Sequence, residues 1–230
     1  MLFRSLSICL SYTIFITLHP VDKLGKLPVS IGKCTELVTL CAGDNFIGEI
    51  PATIGGCSKL TKLDLHQNAL RGSPIPDAIG DLTALRVLLL DHNSIETLPA
   101  MMGQLVALRV LRVDHNNLTE IPAALCGLRG MTELNASQNL IERLPEHIGA
   151  LCSGAVLGMG IRRIYLHCNK LRHLPESFAA LTSLESLTLF QNQLQSLVPA
   201  GWSKGDGKDG ARVFGKEWKR LKSLKLHNNR

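Results

Sequence analysis

A single frame of leucines and an asparagine recurs along the chain and dictates what it can fold into. LRVLLLDHNSIETLP, from Leu85, and LRVLRVDHNNLTEIP, from Leu108, both fit L-x-x-L-x-L-x-x-N-x-L, with Val113 replacing one leucine. The frame returns at Leu37, Leu60, Met131, Ile161, Leu184 and Leu221. Its asparagines are Asn45, Asn68, Asn93, Asn116, Asn139, Asn169, Asn192 and Asn229, spaced 23, 25, 23, 23, 30, 23 and 37 residues apart. A short unit repeated in this way cannot bury its apolar side alone. Stacked on its neighbours it forms a solenoid with a continuous core.

Each position has a physical reason. Leu88 and Leu90 are two residues apart, so both point to one side of an extended strand, and Val87, Leu89 and Asp91 face the other way. The chain must then turn. A buried asparagine there can satisfy backbone groups of its own and a neighbouring repeat, which predicts a structural ladder of the eight asparagines. The second half of the unit places Pro76, Ile79, Leu82 and Leu85 three apart. That spacing suits a short helical or 3₁₀ return, and proline at its start loses no needed hydrogen bond. Aromatic residues are only 4% of the chain, so small aliphatic groups must do the packing.

With this frame the chain resembles leucine-rich repeat proteins over residues 22–230, in about eight repeats. The 23-residue period and the return Leu98, Pro99, Met102, Gly103, Leu105 resemble the intracellular Ras-group scaffolds. Gly48-Glu49-Ile50-Pro51 resembles extracellular plant receptor kinases, in one repeat only. The resemblance implies an α/β leucine-rich repeat solenoid, with a curved parallel sheet on the concave side and helical or 3₁₀ returns on the convex side. It also implies a non-enzymatic protein-interaction scaffold in cytoplasmic signalling that needs no cofactor. Two alternatives stand beside it: a fragment of an extracellular receptor-like ectodomain, and the regulatory region of a larger enzyme.

Residues 1–21 have two readings. Arg4 followed by the apolar run 6–18 looks like a secretory signal, though polar residues dilute it and no small-x-small cleavage site follows. Counting 23 back from Asn45 reaches Asp22, with Leu24 and Leu27-Pro28 in frame, which reads as a worn repeat. The first reading places the chain outside the cell or at its surface, the second in the cytoplasm. Insertions are expected near 152–160 and 203–217. The chain stops one residue past Asn229, without an outer return or a polar cap, which reads as a fragment or as an end covered by something else.

Partner contacts are expected on the concave face, from two residue columns. The candidates are Asp64, His66, Leu89, Asp91, Arg112, Asp114, Asn135, Tyr165, His167 and Phe190. Arginine and aromatic groups dominate binding hot spots, which singles out Arg112, Tyr165 and Phe190. Asp91-His92 and Asp114-His115 stand in register, yet neighbours on a strand face opposite ways, so no metal site is expected from them. The seven cysteines are scattered with no CxxC pair, which predicts neither a disulfide framework nor a zinc site. Cys34 and Cys57 stand where other repeats have leucine and read as buried apolar groups.

Charge is uneven. Residues 1–160 hold 12 Lys and Arg against 14 Asp and Glu, and residues 161–230 hold 13 against 5. The basic C-terminal third therefore suits an acidic surface. Its Gly205-x-Gly207-x-x-Gly210 lacks the strand, helix and βαβ setting a nucleotide loop needs. Trp202, Phe214 and Trp218 lie among nine Lys and Arg in 202–230, but Trp218 occupies a return-leucine position. Nucleic acid is therefore not the expected partner, and no catalytic constellation or membrane span is expected.

Overall fold

The computed structural model describes residues 14–19, 23–152, 160–195 and 218–229. The expected insertions near 152–160 and 203–217 fall almost wholly outside these residues.

Eleven strands are described. They are β1 Phe15–Thr17, β2 Thr39–Cys41, β3 Lys62–Asp64, β4 Arg71–Gly72, β5 Val87–Leu89, β6 Ser94–Ile95, β7 Val110–Arg112, β8 Glu133–Asn135, β9 Arg163–Tyr165, β10 Ser186–Thr188 and β11 Ser223–Lys225. Nine of them form one parallel sheet in the order β1-β2-β3-β5-β7-β8-β9-β10-β11. Each strand thus pairs with the next repeat's strand, as stacking at one period requires. β4 and β6 pair separately, and a bridge joins Glu120 to Arg143. β1 adds a strand within the segment whose reading the sequence leaves open.

Five-residue 3₁₀ returns run over Val29–Lys33, Ala52–Gly56, Asp77–Asp81, Ala100–Gln104, Ala123–Gly127, Ile148–Cys152 and Glu176–Ala180. Six of them start directly after a proline: Pro28, Pro51, Pro76, Pro99, Pro122 and Pro175, with φ between −74° and −56°. Those values are what the pyrrolidine ring imposes. Neighbouring returns pack so closely that a Cβ on Gly149 would collide with the Ser177 carbonyl oxygen. No helix among the described residues is long and apolar enough to cross a membrane.

The core lies between sheet and returns. Leu63, Leu65, Leu88, Leu90, Leu111, Leu187 and Leu189 are fully buried. Trp218 is buried too. It packs edge-on against Phe178, 5.9 Å between ring centroids, and its Nε1–H donates to the Ala179 carbonyl at 3.3 Å. Cys57 is a buried free thiol pushed up to about 11 by burial, hence unreactive. Cys34 departs from the sequence expectation. It is buried as read, but it is disulfide-bonded, which its spacing from other cysteines gave no means of foreseeing.

The asparagines lie at the turn after each strand. Asn116 Oδ1 accepts the Ile95 N–H at 2.9 Å, one repeat back. Its Nδ2 donates to the carbonyls of Leu90, Val113 and Asp114 at 3.0, 3.1 and 3.1 Å. Asn68, Asn93, Asn139, Asn169 and Asn192 repeat this pattern, each accepting one N–H and donating to three carbonyls. Asn45 and Asn229 carry the same bonds to the Leu24 and Leu194 N–H groups. The residue before each asparagine (Asp44, Gln67, His92, His115, Gln138, Cys168, Gln191, Asn228) is left-handed, with φ from 49° to 57°. Non-glycine residues rarely adopt this conformation, and here the asparagine's bonds hold it in place.

Candidate functional site

Each strand of the main sheet but β11, whose Leu224 is exposed, offers its middle residue to the core, and the outer two residues face the concave side. Register brings these into columns. The second residue of that face lines up as Cys41, Asp64, Leu89, Arg112, Asn135, Tyr165, Thr188 and Lys225. Two residues further on, at the turn, stand Gly43, His66, Asp91, Asp114, Ser137, His167, Phe190 and His227. All ten candidate residues lie in these two columns. A third column was missed: Thr39, Lys62, Val87, Val110, Glu133, Arg163, Ser186 and Ser223. The alternation that yields the second column yields this one as well, two residues upstream.

The missed column contributes the strongest charge cluster. Glu133 is buried, and its Oε1 accepts from Arg112 Nε at 3.1 Å while its Oε2 accepts from Arg163 Nε at 2.8 Å. The hydrogen bond to Glu133 raises the Arg163 pKa against its burial. Three repeats are thereby joined across their strands.

Asp64 and Asp114 are not open surface, although both stand in the candidate columns. Asp64 is buried between Lys62, whose Nζ is 3.1 Å from Oδ2, and His66, whose Nδ1 is 2.6 Å from Oδ1. His66 Nε2 also reaches Asp44 Oδ2 at 3.2 Å. Burial alone would raise the Asp64 pKa, but the bonds from His66 and Lys62 outweigh it and lower the value. For His66, burial opposes the charge, and the bond to Asp64 with the charges of Asp64, Asp44 and Asp91 lifts the pKa. Asp91 is raised by burial and by the neighbouring Asp114.

Beyond the charges lies an aromatic row. His167 stacks on Phe190 with centroids 4.4 Å apart, and Phe190 on His227 at 4.6 Å. His167 Nδ1 meets Thr188 Oγ1 at 3.0 Å, and burial lowers its pKa. Tyr165 and Asn135 lie half-buried between this row and exposed Arg112. On the outer side, a hollow of about 490 Å³ is lined by residues that include Glu142, Arg143, Glu146, Arg172 and Glu176. It carries three glutamates and two arginines.

Strand alternation does not separate Asp114 from His115. β7 ends at Arg112, and the left-handed turn at His115 brings its Nδ1 to 2.9 Å from Asp114 Oδ2. His115 also stacks on His92, with centroids 3.9 Å apart. Histidine, aspartate and histidine thus gather where opposite facing was expected. The glycine-rich 205–217 stretch lies outside the described residues.

The Asp44–His66–Asp64 clamp predicts a pH signature. The raised His66 pKa contributes stability below its unfolded value of about 6.5, lost as pH rises through the folded value. The lowered Asp64 pKa contributes stability above about 3.9, lost as pH falls through the folded value. His66→Gln should therefore lower the thermal midpoint more at about pH 5.5 than at about pH 9. An equal loss at both would show that the histidine charge takes no part.

Residues 59–118 and 85–141 match the leucine rich repeat family model. No curated protein sequence matches the chain. Among solved structures, the plant peptide hormone receptor RGFR1 in complex with RGF2 is 29% identical, with a TM-score of 0.74, over 89% of this chain and 30% of that one. A leucine-rich repeat protein of Leptospira interrogans is 26% identical, with a TM-score of 0.73, over 100% of this chain and 58% of that one. The ectodomain of an Arabidopsis thaliana membrane receptor kinase, in complex with Casparian strip integrity factor 2, is 30% identical, with a TM-score of 0.72, over 89% of this chain and 23% of that one. The chain therefore spans less than two thirds of each of these proteins. With its parallel sheet, 3₁₀ returns and asparagine turns, the chain is a leucine-rich repeat solenoid, a fold that generally serves as a non-enzymatic scaffold for binding other proteins.

Proposed function

We propose that the chain binds a protein or peptide partner on its concave face, centred on Arg112, Asn135, Tyr165, His167 and Phe190. The observation that carries this reading is the row of half-exposed aromatic and basic groups on adjacent strands, already ordered by stacking and by the bonds to Glu133. Groups held before binding lose little conformational entropy on contact. The His66, Asp91 and Leu89 end of the face would frame this centre, with Asp64 and Asp114 acting through the neighbours they hold. Two of the similar structures were solved as complexes with a bound ligand, which supports the same use of the fold here.

We place this binding inside the cell, in signalling of the kind served by the Ras-group scaffolds. The free thiols of Cys41, Cys57, Cys126, Cys152 and Cys168 support a reducing setting. The Cys34 disulfide and the likeness to plant ectodomains favour a second reading, a segment of an extracellular receptor. Two Asn-x-Ser/Thr glycosylation sequons, Asn117-Leu118-Thr119 and Asn135-Ala136-Ser137, make that reading testable. Asn117 and Thr119 are exposed, whereas Asn135 Oδ1 is bonded to the buried Ser137 hydroxyl at 2.8 Å. Secreted material should carry a single glycan, on Asn117, if the chain is extracellular. Secretion that yields only unglycosylated chain would count against it.

The test of the binding face is a partner recovered by pull-down and remeasured with variants. Tyr165→Ala with Phe190→Ala should weaken it by about 2 kcal/mol or more, roughly thirtyfold, as desolvated aromatic anchors do. Glu146→Ala with Glu176→Ala, exposed on the outer side, should leave it unchanged. Loss in the outer pair alone would put the interaction on the convex side. Full binding by the concave variant that falls steeply with salt would put it on the basic C-terminal residues.

A further inference from the structure

Buried polar atoms in native proteins nearly always find a hydrogen-bond partner, so an exception points to something that completes it. Among the described residues, Asp114 Oδ1 is the one buried side-chain oxygen or nitrogen without a partner. Asp114 is only 8% exposed, and its other oxygen takes His115 Nδ1. The equivalent charges nearby are answered: Asp64 has Lys62 and His66, and Glu133 has Arg112 and Arg163. Asp91 stands beside Asp114 and adds its own negative charge, so this spot lacks a cation.

The geometry points to a binding site for a zinc-class divalent metal ion formed by His92, Asp114 and His115. One donor atom from each of the three lies within 4.8 Å of the others. Two imidazole nitrogens with one carboxylate suit zinc and its first-row neighbours, whereas calcium and magnesium take oxygen. In a tetrahedral shell with bonds of about 2.0–2.1 Å, the donors sit roughly 3.3 Å apart, so the trio must close inward. Asp114 is held by burial, and exposed His92 is free to swing and tilt out of its 19° stack on His115. Three protein donors leave one coordination position open, the pattern of accessible zinc sites.

Its origin is local to two repeats. The left-handed position before the asparagine is Asp44, Gln67, Gln138, Cys168, Gln191 or Asn228 elsewhere, and histidine only at His92 and His115. Asp-His-Asn occurs twice, in consecutive units, and the period stacks the two histidines over one buried carboxylate. His66 offers no second site, because both its ring nitrogens already face carboxylates. The site stands whether or not a partner binds this face.

Tag-free chain stripped with a chelator should be titrated with Zn²⁺ by calorimetry and with Co²⁺ by visible absorption. One equivalent of Zn²⁺ should bind, excess Ca²⁺ or Mg²⁺ should not displace it, and the Co²⁺ spectrum should show nitrogen and oxygen ligation. His92→Ala and His115→Ala should each weaken binding by about tenfold or more, since loss of even an outer-shell partner costs that much. His147→Ala should leave it unchanged. His92 is exposed, so its variant should keep the parent's far-ultraviolet dichroism and report on binding alone. No uptake of Zn²⁺, uptake insensitive to both histidine changes, or a thiolate-to-cobalt band would each overturn the site.

Discussion

The asparagine side chain at the end of each strand is the contact on which the other features depend. The turn there leaves backbone groups facing a dry interior, where an unmade hydrogen bond costs about 1–3 kcal/mol. One amide resolves this for two repeats at once. Its oxygen takes an N–H from the unit before, and its nitrogen spans carbonyls of both units. The ladder therefore sets how each unit sits on the next, and it holds the left-handed residue in front of it. Insertions lengthen some steps to 25, 30 and 37 residues without breaking the ladder, because the added residues enter outside the strand-to-asparagine stretch.

The concave face inherits this regularity. Parallel strands in strict register turn single residues into columns, so chemistry arises between repeats rather than within one. Glu133 is useful only because Arg112 and Arg163 flank it from the strands on either side. Stacking of His167, Phe190 and His227 likewise needs three units in step. A buried carboxylate costs more than it returns unless such partners meet it, and Asp64 and Glu133 are met. Asp114 is the exception, and it lies where two histidines converge.

Much of the solenoid was legible because each unit repeats the same local physics. Leucines two apart, a proline before the return and an asparagine at the turn have meanings that need no tertiary knowledge. Cys57 as a buried apolar group and Trp218 as a return leucine could be read by position for the same reason. What escaped depended on contacts that the repeat frame does not encode, some between adjacent residues and some across 20 to 30 residues of sequence. The burial of Asp64 depends on Lys62, His66 and Asp44 closing over it. The Glu133 cluster stands in the facing column two residues upstream of the candidate ones and forms only across three repeats. Strand alternation, which argues against a shared site at Asp114 and His115, ends at Arg112, and the turn beyond it brings the two side chains together. The Cys34 disulfide and the short β4–β6 pairing leave no periodic trace.

Backbone hydrogen exchange on the parent chain and on Asn116→Ala tests the central claim most directly. The account predicts that the Ile95 amide, which donates to Asn116 Oδ1, is among the protected ones in the parent. It should lose that protection in the variant, with weaker losses at Leu70 and Leu118 in the adjoining units and a drop in global stability of about 1–3 kcal/mol. An Ile95 amide that exchanges freely in the parent, or equally slowly in both proteins, would contradict a solenoid held in register by its asparagines.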